Sequence, residues 1–420
     1  MLHVYHRSTC RLCNSPNVEL AVKLEPIPLA ENYTLTREEA YETPRFPVDL
    51  YMCADCGHVQ QLDVVDADYL WSKYTYFSGA AKGMPEHFEE VAARIMKEFP
   101  LPENSLVVDI GSNDGSLLLP FQKAGLRVLG VDPAEAAAAK ANDRGVPTIV
   151  APMSLELARR IRAEYGPARV VCMFNAFAHM DNLQEMLDAI ATLLDKDGIF
   201  VFESQYIGDI IEKRLIATIF HEHMSHHSAV ALEPFFRRHG MELIDLSRAP
   251  IQHGSIIGVA QLQGGAHAAR PSVAALLEME RRQGLDKIDS LRAFAADIAE
   301  MRSRIHAWAQ ARRAEGAVLA GYGAARSGPT LIAQLGLTGM LEYVFDDHPQ
   351  KVGRFSSGDG LPIVPTRELY ERMPPYTIIL AWVHAAKIIQ EHRKYVEQGG
   401  AFVVLCPEPR LVTRDGESPL

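Results

Sequence analysis

Ser105-Leu106-Val107-Val108-Asp109-Ile110-Gly111-Ser112-Asn113-Asp114-Gly115 is a short apolar run that breaks into a glycine-bearing turn. A run of this length, rich in aliphatic residues and closed by glycine, reads as a buried strand. Ser116-Leu117-Leu118-Leu119 then opens a helix. Strand, tight turn and helix make half of a βαβ unit, and the alternation repeats downstream. Strands are expected at 126–132, 169–174 and 198–203, with helices at 134–143, 154–165 and 182–194. Strands alternating with helices of this length predict a parallel sheet covered on both faces.

Working outward, residues 230–265 read as one helix and two mixed strands. A helical region follows from Ser272 to about Glu315, interrupted near Gly284. Alternation then resumes, with strand-like runs at 317–322, 341–346, 376–382 and 401–406 and helices near 327–336, 366–373 and 385–397. This is a second α/β unit, and the polar tail after Cys406 is expected to be loosely ordered. Upstream, Pro16, Pro26, Pro28, Pro44 and Pro47 break any long helix in the first 70 residues.

Composition narrows the class. The 420 residues carry 42 Lys plus Arg against 53 Asp plus Glu, a net charge of −11. No surplus of cations exists to neutralise nucleic acid. No apolar run approaches the roughly 18 residues of a membrane helix. The start, Met1 to Arg7, lacks the apolar stretch of a signal peptide. A cytoplasmic enzyme that touches neither nucleic acid nor membrane is the expectation.

Three motifs carry chemistry. Cys10-x2-Cys13 and Cys53-x2-Cys56 supply two thiolate pairs separated by 39 residues. In a reducing compartment such pairs point to a closed, structural zinc site rather than to disulfides. The second motif is the loop Asp109 to Gly115. Glycine at 111 and 115 lets backbone approach a ligand, and the helix start offers N–H groups. Asp132 ends the next strand, 23 residues after Asp109, where a carboxylate can accept ribose hydroxyls. Loop shape alone fits a dinucleotide or S-adenosylmethionine. The D-x-G-x-x-x-G spacing and the lack of a cation after Asp132 favour S-adenosylmethionine. Asn175 to His179 reach the same rim of the sheet. The third motif is Phe220-His221-Glu222-His223-Met224-Ser225-His226-His227, with four of the sixteen histidines within seven residues. Histidine beside a carboxylate suits proton abstraction near neutral pH.

Together these residues resemble the sugar-nucleotide C-methyltransferases, which methylate a carbon of a keto-deoxysugar carried on a nucleoside diphosphate. Tyr74-Thr75-Tyr76-Phe77-Ser78 is similar to the family's Y-x-Y-x-S linker, and Asp109 to Gly115 to its E-I-G-S-N-D-G loop. Phe202-Glu203 with Tyr206, Phe220 to Ser228, His253-Gly254-Ser255, Gly321 to Ala325 and Lys351-Val352-Gly353-Arg354 look like its later signatures. The resemblance implies an α/β protein: a class I methyltransferase Rossmann-like domain flanked by a zinc module and a second Rossmann-like domain. The expected spans are 1–72, 73–235 and 236–420. It also implies S-adenosylmethionine and structural zinc as cofactors, and a nucleoside-diphosphate-linked ketosugar as partner.

Roles follow from the same resemblance. His223 would remove the proton alpha to the sugar ketone, Glu222 would assist it, and His179 would meet the substrate or its oxyanion. Tyr76 would close over cofactor or sugar. Asp109, Gly111, Asn113, Asp114, Gly115, Asp132 and Asn175 would hold the cofactor. Phe220, His221, His253, Ser255, Arg326, Lys351 and Arg354 would contact the substrate. Phe220 replaces the family's tyrosine and removes a hydroxyl. His226 replaces another aromatic hydroxyl, and either it or His179 is expected to substitute. Arg326 stands where the family carries lysine. Gly321-Tyr322-Gly323 with Asp346 invites a dinucleotide, but Arg326 occupies the third glycine position. A diphosphate anchor or a purely structural lobe fits that loop better. An O-methyltransferase or a non-catalytic binding protein are the alternative readings.

Overall fold

The computed structural model describes residues 4–66, 70, 77–81 and 83–420. The chain divides into two compact units. The first comprises Met1–Glu19, Met52–Gly208 and Met224–Lys287; the second comprises Leu20–Tyr51, Asp209–His223 and Ile288–Leu420. The spans expected from sequence differ from this division. The segment between the two cysteine pairs joins the second unit, and residues 236–262 stay with the first.

The first unit is built on a seven-stranded sheet: β1 (Leu106–Ile110), β2 (Arg127–Asp132), β3 (Thr148–Val150), β4 (Ala168–Phe174), β5 (Leu194–Gln205), β6 (Met241–Ala249) and β7 (Ser255–Leu262). Its order is β6-β7-β5-β4-β1-β2-β3. Strands β3, β2, β1, β4 and β5 are parallel, while β7 runs antiparallel to both β5 and β6. The sheet reverses its order beside β1, so the loops after β1 and β4 open a crevice at their carboxyl ends, where α/β folds bind ligands. Helix α1 (Met84–Glu98) covers one face. Its buried residues Met84, Phe88, Val91, Ala92 and Ile95 recur at helical spacing and pack with Val107, Val170, Cys172, Ile199 and Val201. Ser154, Asn182 and Ser228 cap later helices of this unit by accepting a backbone N–H three residues on.

The second unit carries its own seven-stranded sheet: β8 (Leu319–Tyr322), β9 (Val344–Phe345), β10 (Ile363–Val364), β11 (Tyr376–Ile379), β12 (Ala401–Val404), β13 (Arg410–Thr413) and β14 (Gly416–Pro419). The order is β10-β9-β8-β11-β12-β13-β14, with the first five parallel and the last two antiparallel. The tail after Cys406 is thus a hairpin paired to β12, contrary to the expected loose end: ladder pairing orders it although its last strand is exposed. The expected helical break falls at Gly284, left-handed at φ 68°, which ends the helix Pro271–Gln283. A 27-residue helix, Ile288–Ala314, then buries Leu291, Phe294, Ile298, Met301, Ile305 and Ala309. Among the described residues no helix is long and apolar enough to cross a membrane.

Candidate functional site

In the first unit, the four cysteines sit on two matching turns. Asn14 N–H donates to Cys10 O and Gly57 N–H to Cys53 O, both at 2.9 Å, and Asn14 and Gly57 both take positive φ, at 58° and 72°. The turns aim all four sulfurs inward, within 4.8 Å of one another. Cys10 and Cys56 Sγ are 3.6 Å apart and Cys13 and Cys53 3.5 Å, with no disulfide. A tetrahedral zinc with bonds of about 2.3 Å sets its sulfurs about 3.8 Å apart, so the cluster fits the metal.

The loop after β1 is pinned from within. The N–H groups of Gly111 and Ser112 donate to Val131 O, and that of Gly115 to Ser112 O. Asp132 holds the loop to the end of β2: its Oδ2 accepts from Asn113 N and its Oδ1 from Ala134 N, both at 2.8 Å. These N–H groups are therefore committed, and the expected ligand-facing backbone is reduced to what lies beyond them. Each Asp132 oxygen keeps a second lone pair for a ribose hydroxyl. Burial raises the Asp132 carboxyl, and burial plus the nearby Asp132 charge holds that of Asp109 well above its ordinary value.

Asn113 and Asp114, expected to touch cofactor, do something else with their side chains. Asn113 Oδ1 accepts from Ser78 N at 2.9 Å, and Asp114 Oδ2 from Gly79 N at 3.1 Å. They clamp the end of the expected Y-x-Y-x-S linker onto the loop. Arg144, 3.3 Å from Asp114, and Lys140, 4.0 Å from the Phe77 ring centroid, reinforce the clamp. Sequence reasoning missed both cations. Tyr76 lies outside the described residues.

Two features mark this loop as a candidate ligand cradle. Asp109 Oδ1 and Ser112 Oγ are buried without a hydrogen bond. A Cβ on Gly111, which sits at φ 74°, would stand 2.7 Å from Ala176 Cβ. Gly111→Ala therefore combines a left-handed backbone cost of about 1–3 kcal/mol with a clash at the rim. We expect at least a roughly tenfold loss of S-adenosylhomocysteine affinity in titration calorimetry; unchanged affinity would contradict this geometry. Asn175, at φ 54°, and the turn Phe177–His179 complete the rim after β4, with His179 half-buried. His253, at φ 69°, precedes β7, and Ser255 is fully buried on it.

His226 and His227 belong to the core of this unit. Both are fully buried. Ser225 and His226 pair with Gln60 and Val59, and the His227 ring stacks on Phe177 and His58 at 4.9 and 5.6 Å. His226, expected to meet a substrate, packs inside this core instead.

The second unit holds the rest of the histidine motif. Residues 219–223 turn rather than extend, with His223 N–H donating to Phe220 O at 2.9 Å. His221 is buried with Nε2 3.2 Å from Phe46 O. The His223 ring packs on Phe220 with centroids 3.9 Å apart. His223 Nδ1 lies 2.6 Å from Thr218 O. A carbonyl only accepts, so Nδ1 carries the proton and Nε2 presents the basic lone pair. Burial, with a further push from Arg326, drops His223 to about 4 although the Thr218 bond opposes it. The ring is neutral at pH 7.

Glu222 is buried, and Arg326 Nη1 donates to both its oxygens. Burial raises Glu222 while Arg326 opposes that rise. Lys351 donates to Ala324 O at 2.8 Å, pairs with Glu31 at 3.1 Å and lies 5.2 Å from the Tyr33 ring centroid. Arg326 and Lys351, expected to meet a diphosphate, are thus held by carboxylates of their own unit. Arg354 sits half-buried on the turn that follows Lys351. Asp346 repeats the part played by Asp132: its Oδ2 accepts from Ala324 N at 2.8 Å and its Oδ1 from His348 N at 2.7 Å.

Comparison with known proteins assigns a family to three stretches of the chain. Residues 10–71 match a zinc binding domain, 84–246 a methyltransferase domain and 250–407 the C-methyltransferase C-terminal domain. The chain is 33% identical over 407 residues to the C-methyltransferase NovU of Streptomyces niveus, covering 97% of each protein. The chain belongs to this C-methyltransferase family. It is therefore an S-adenosylmethionine-dependent C-methyltransferase with a structural zinc site. Among solved structures, it resembles a methyltransferase of Haloferax volcanii bound to its Trm112 activator (16% identity, TM-score 0.36, covering 44% of this chain and 94% of that one). It also resembles magnesium protoporphyrin IX methyltransferase of Synechocystis (18%, TM-score 0.33, 43% and 80%).

Proposed function

We propose that this methyltransferase acts on the carbon alpha to the ketone of a nucleoside-diphosphate-linked keto-deoxysugar. The observation that carries the reading is His223: its tautomer is fixed by Thr218 O, and it is neutral at pH 7 with Nε2 as the base. Its Nε2 takes the acidic proton, leaving an enolate. When bound, S-adenosylmethionine supplies a methyl already activated on sulfonium, which the enolate carbon accepts. The chain's task is then to make the carbon nucleophilic and to hold both reactants in line. The Glu222–Arg326 pair sets a cation beside the base, where negative charge develops on the ketone oxygen. Asp132 and the Gly111 cradle hold the donor.

The sugar class is supported by the motif resemblance and by the relation to NovU. In D2O, with S-adenosylhomocysteine in place of the donor, the wild-type protein should exchange the proton alpha to the ketone. In a separate reaction with S-adenosylmethionine, carbon NMR of the product should place the new methyl on carbon. A methyl found on oxygen would favour the reading that Phe220, with no hydroxyl, invites.

A further inference from the structure

Glu203 ends the face of the sheet that α1 covers. Along that face the in-register rows are Val170 with Ile199, Cys172 with Val201, and Phe174 with Glu203. Two apolar rows thus give way to a carboxylate at the carboxyl edge, where the ligand crevice lies. A backbone bond ties Glu203 to the rim: its carbonyl accepts from Asn175 N–H at 2.9 Å, and Ala176, which follows Asn175, is the residue that approaches Gly111. The strand lies two spacings from β1, on the order of 10 Å.

Glu203 is fully buried, and His87 Nε2, from the first turn of α1, lies 2.5 Å from its Oε2. The second oxygen, Oε1, is buried without a hydrogen bond. Burial would lower His87, but the hydrogen bond and charge of Glu203 win and hold it above the ordinary histidine value. A buried carboxylate oxygen without a donor is costly, and such an atom in a native structure calls for an explanation, which a bound ligand supplies. A core that needed only stability would place an apolar residue here, as the preceding rows do.

We propose that the His87–Glu203 pair binds the α-amino-carboxylate end of S-adenosylmethionine, with Glu203 Oε1 accepting from the ammonium and the His87 ring facing the carboxylate. An adjacent anion and cation match the two charges of that zwitterion. Asp132 at the end of β2 takes the ribose end, so the ligand runs along the carboxyl edge from β2 towards β5. The resemblance assigns no role to His87, and the inference does not depend on which sugar is methylated.

The test compares two ligands that differ only at that end. S-adenosylhomocysteine carries the α-amino-carboxylate, whereas 5′-methylthioadenosine lacks it. In titration calorimetry, Glu203→Gln and His87→Gln should each weaken S-adenosylhomocysteine by roughly tenfold to a hundredfold and leave 5′-methylthioadenosine within about twofold. Equal losses for both ligands would mean that the pair only supports the sheet edge. Unchanged affinity for both would equally overturn the proposal. Loss of sugar methylation with intact binding of both ligands would move the pair to the substrate side and reject it as a cofactor contact.

Discussion

His223→Asn should lower kcat by about 10²- to 10⁴-fold while leaving S-adenosylhomocysteine binding unchanged, and should abolish deuterium exchange at the sugar carbon. The size follows from what Nε2 is asked to do: without it, water must take a proton from a carbon acid. The wild-type pH profile makes the prediction sharper. A base of ordinary histidine character would lose activity below about 6.5. His223, lowered to about 4, should keep kcat/KM level well below that point, with an acid limb nearer 4. A limb at 6.5 would mean that the acting base is another group. Stability moves with the same protons. His221, His223 and His227 are all lowered to about 4, chiefly by burial. Between 6.5 and 4 the unfolded chain binds protons that the fold refuses, so stability is complete above about 6.5 and declines as pH falls towards 4. Each histidine contributes at most about 3 kcal/mol. Activity should therefore be measured with the melting temperature at every pH, so that the catalytic limb is read only where the fold persists.

Local patterns made the strands, the glycine turn and both α/β units legible, because apolar runs and helical periodicity are properties of neighbouring residues. Interleaving was not legible. Residues 20–51 follow the first cysteine pair in sequence, yet Tyr33 and Thr34 pair with Ser356 and Phe355, and Gln334 bonds the backbone of Glu25. Those partners lie some 300 residues away, and no local signal announces them. The same holds for the histidine run. Four histidines in seven residues look like one chemical cluster, but the chain leaves the second unit after His223, and His226 and His227 enter the core of the first. Asp132 and Asp346 show the converse. Asp132 has the place of a ribose contact after a second strand and Asp346 the matching place; each holds its own glycine loop through one backbone N–H and accepts a second from two residues further on. The position was legible; the partner, a backbone amide, was not.

Removing the zinc should have the largest effect on stability. Arg11 lies between Cys10 and Cys13 and is fully buried. Its guanidinium donates to Asp181 Oδ1 at 3.0 Å, to Met224 O at 3.3 Å and to Gln61 O. Gln61 N–H in turn donates to Met224 O at 2.9 Å, and Gln60 and Val59 pair with Ser225 and His226. The cysteine turn therefore fixes a buried cation that gathers three separate stretches of the first unit. Burial lowers Arg11 to about 10, still charged at neutral pH, so its hydrogen bonds cannot be given up without stranding a charge. Structural zinc binds with about 10–16 kcal/mol in isolated fingers, and part of that should appear here as folding stability. The protein as purified should hold one zinc per chain by atomic spectroscopy. Chelation, or Cys13→Ser, should lower the melting temperature by more than about 10 °C, since several kcal/mol are lost from a unit of this size. Amide exchange should quicken first at residues 59–61 and 224–226, ahead of β1 and β4. A metal-free protein with an unchanged melting curve, or exchange that quickens uniformly, would show that the four thiols and Arg11 do not hold the unit together through the metal.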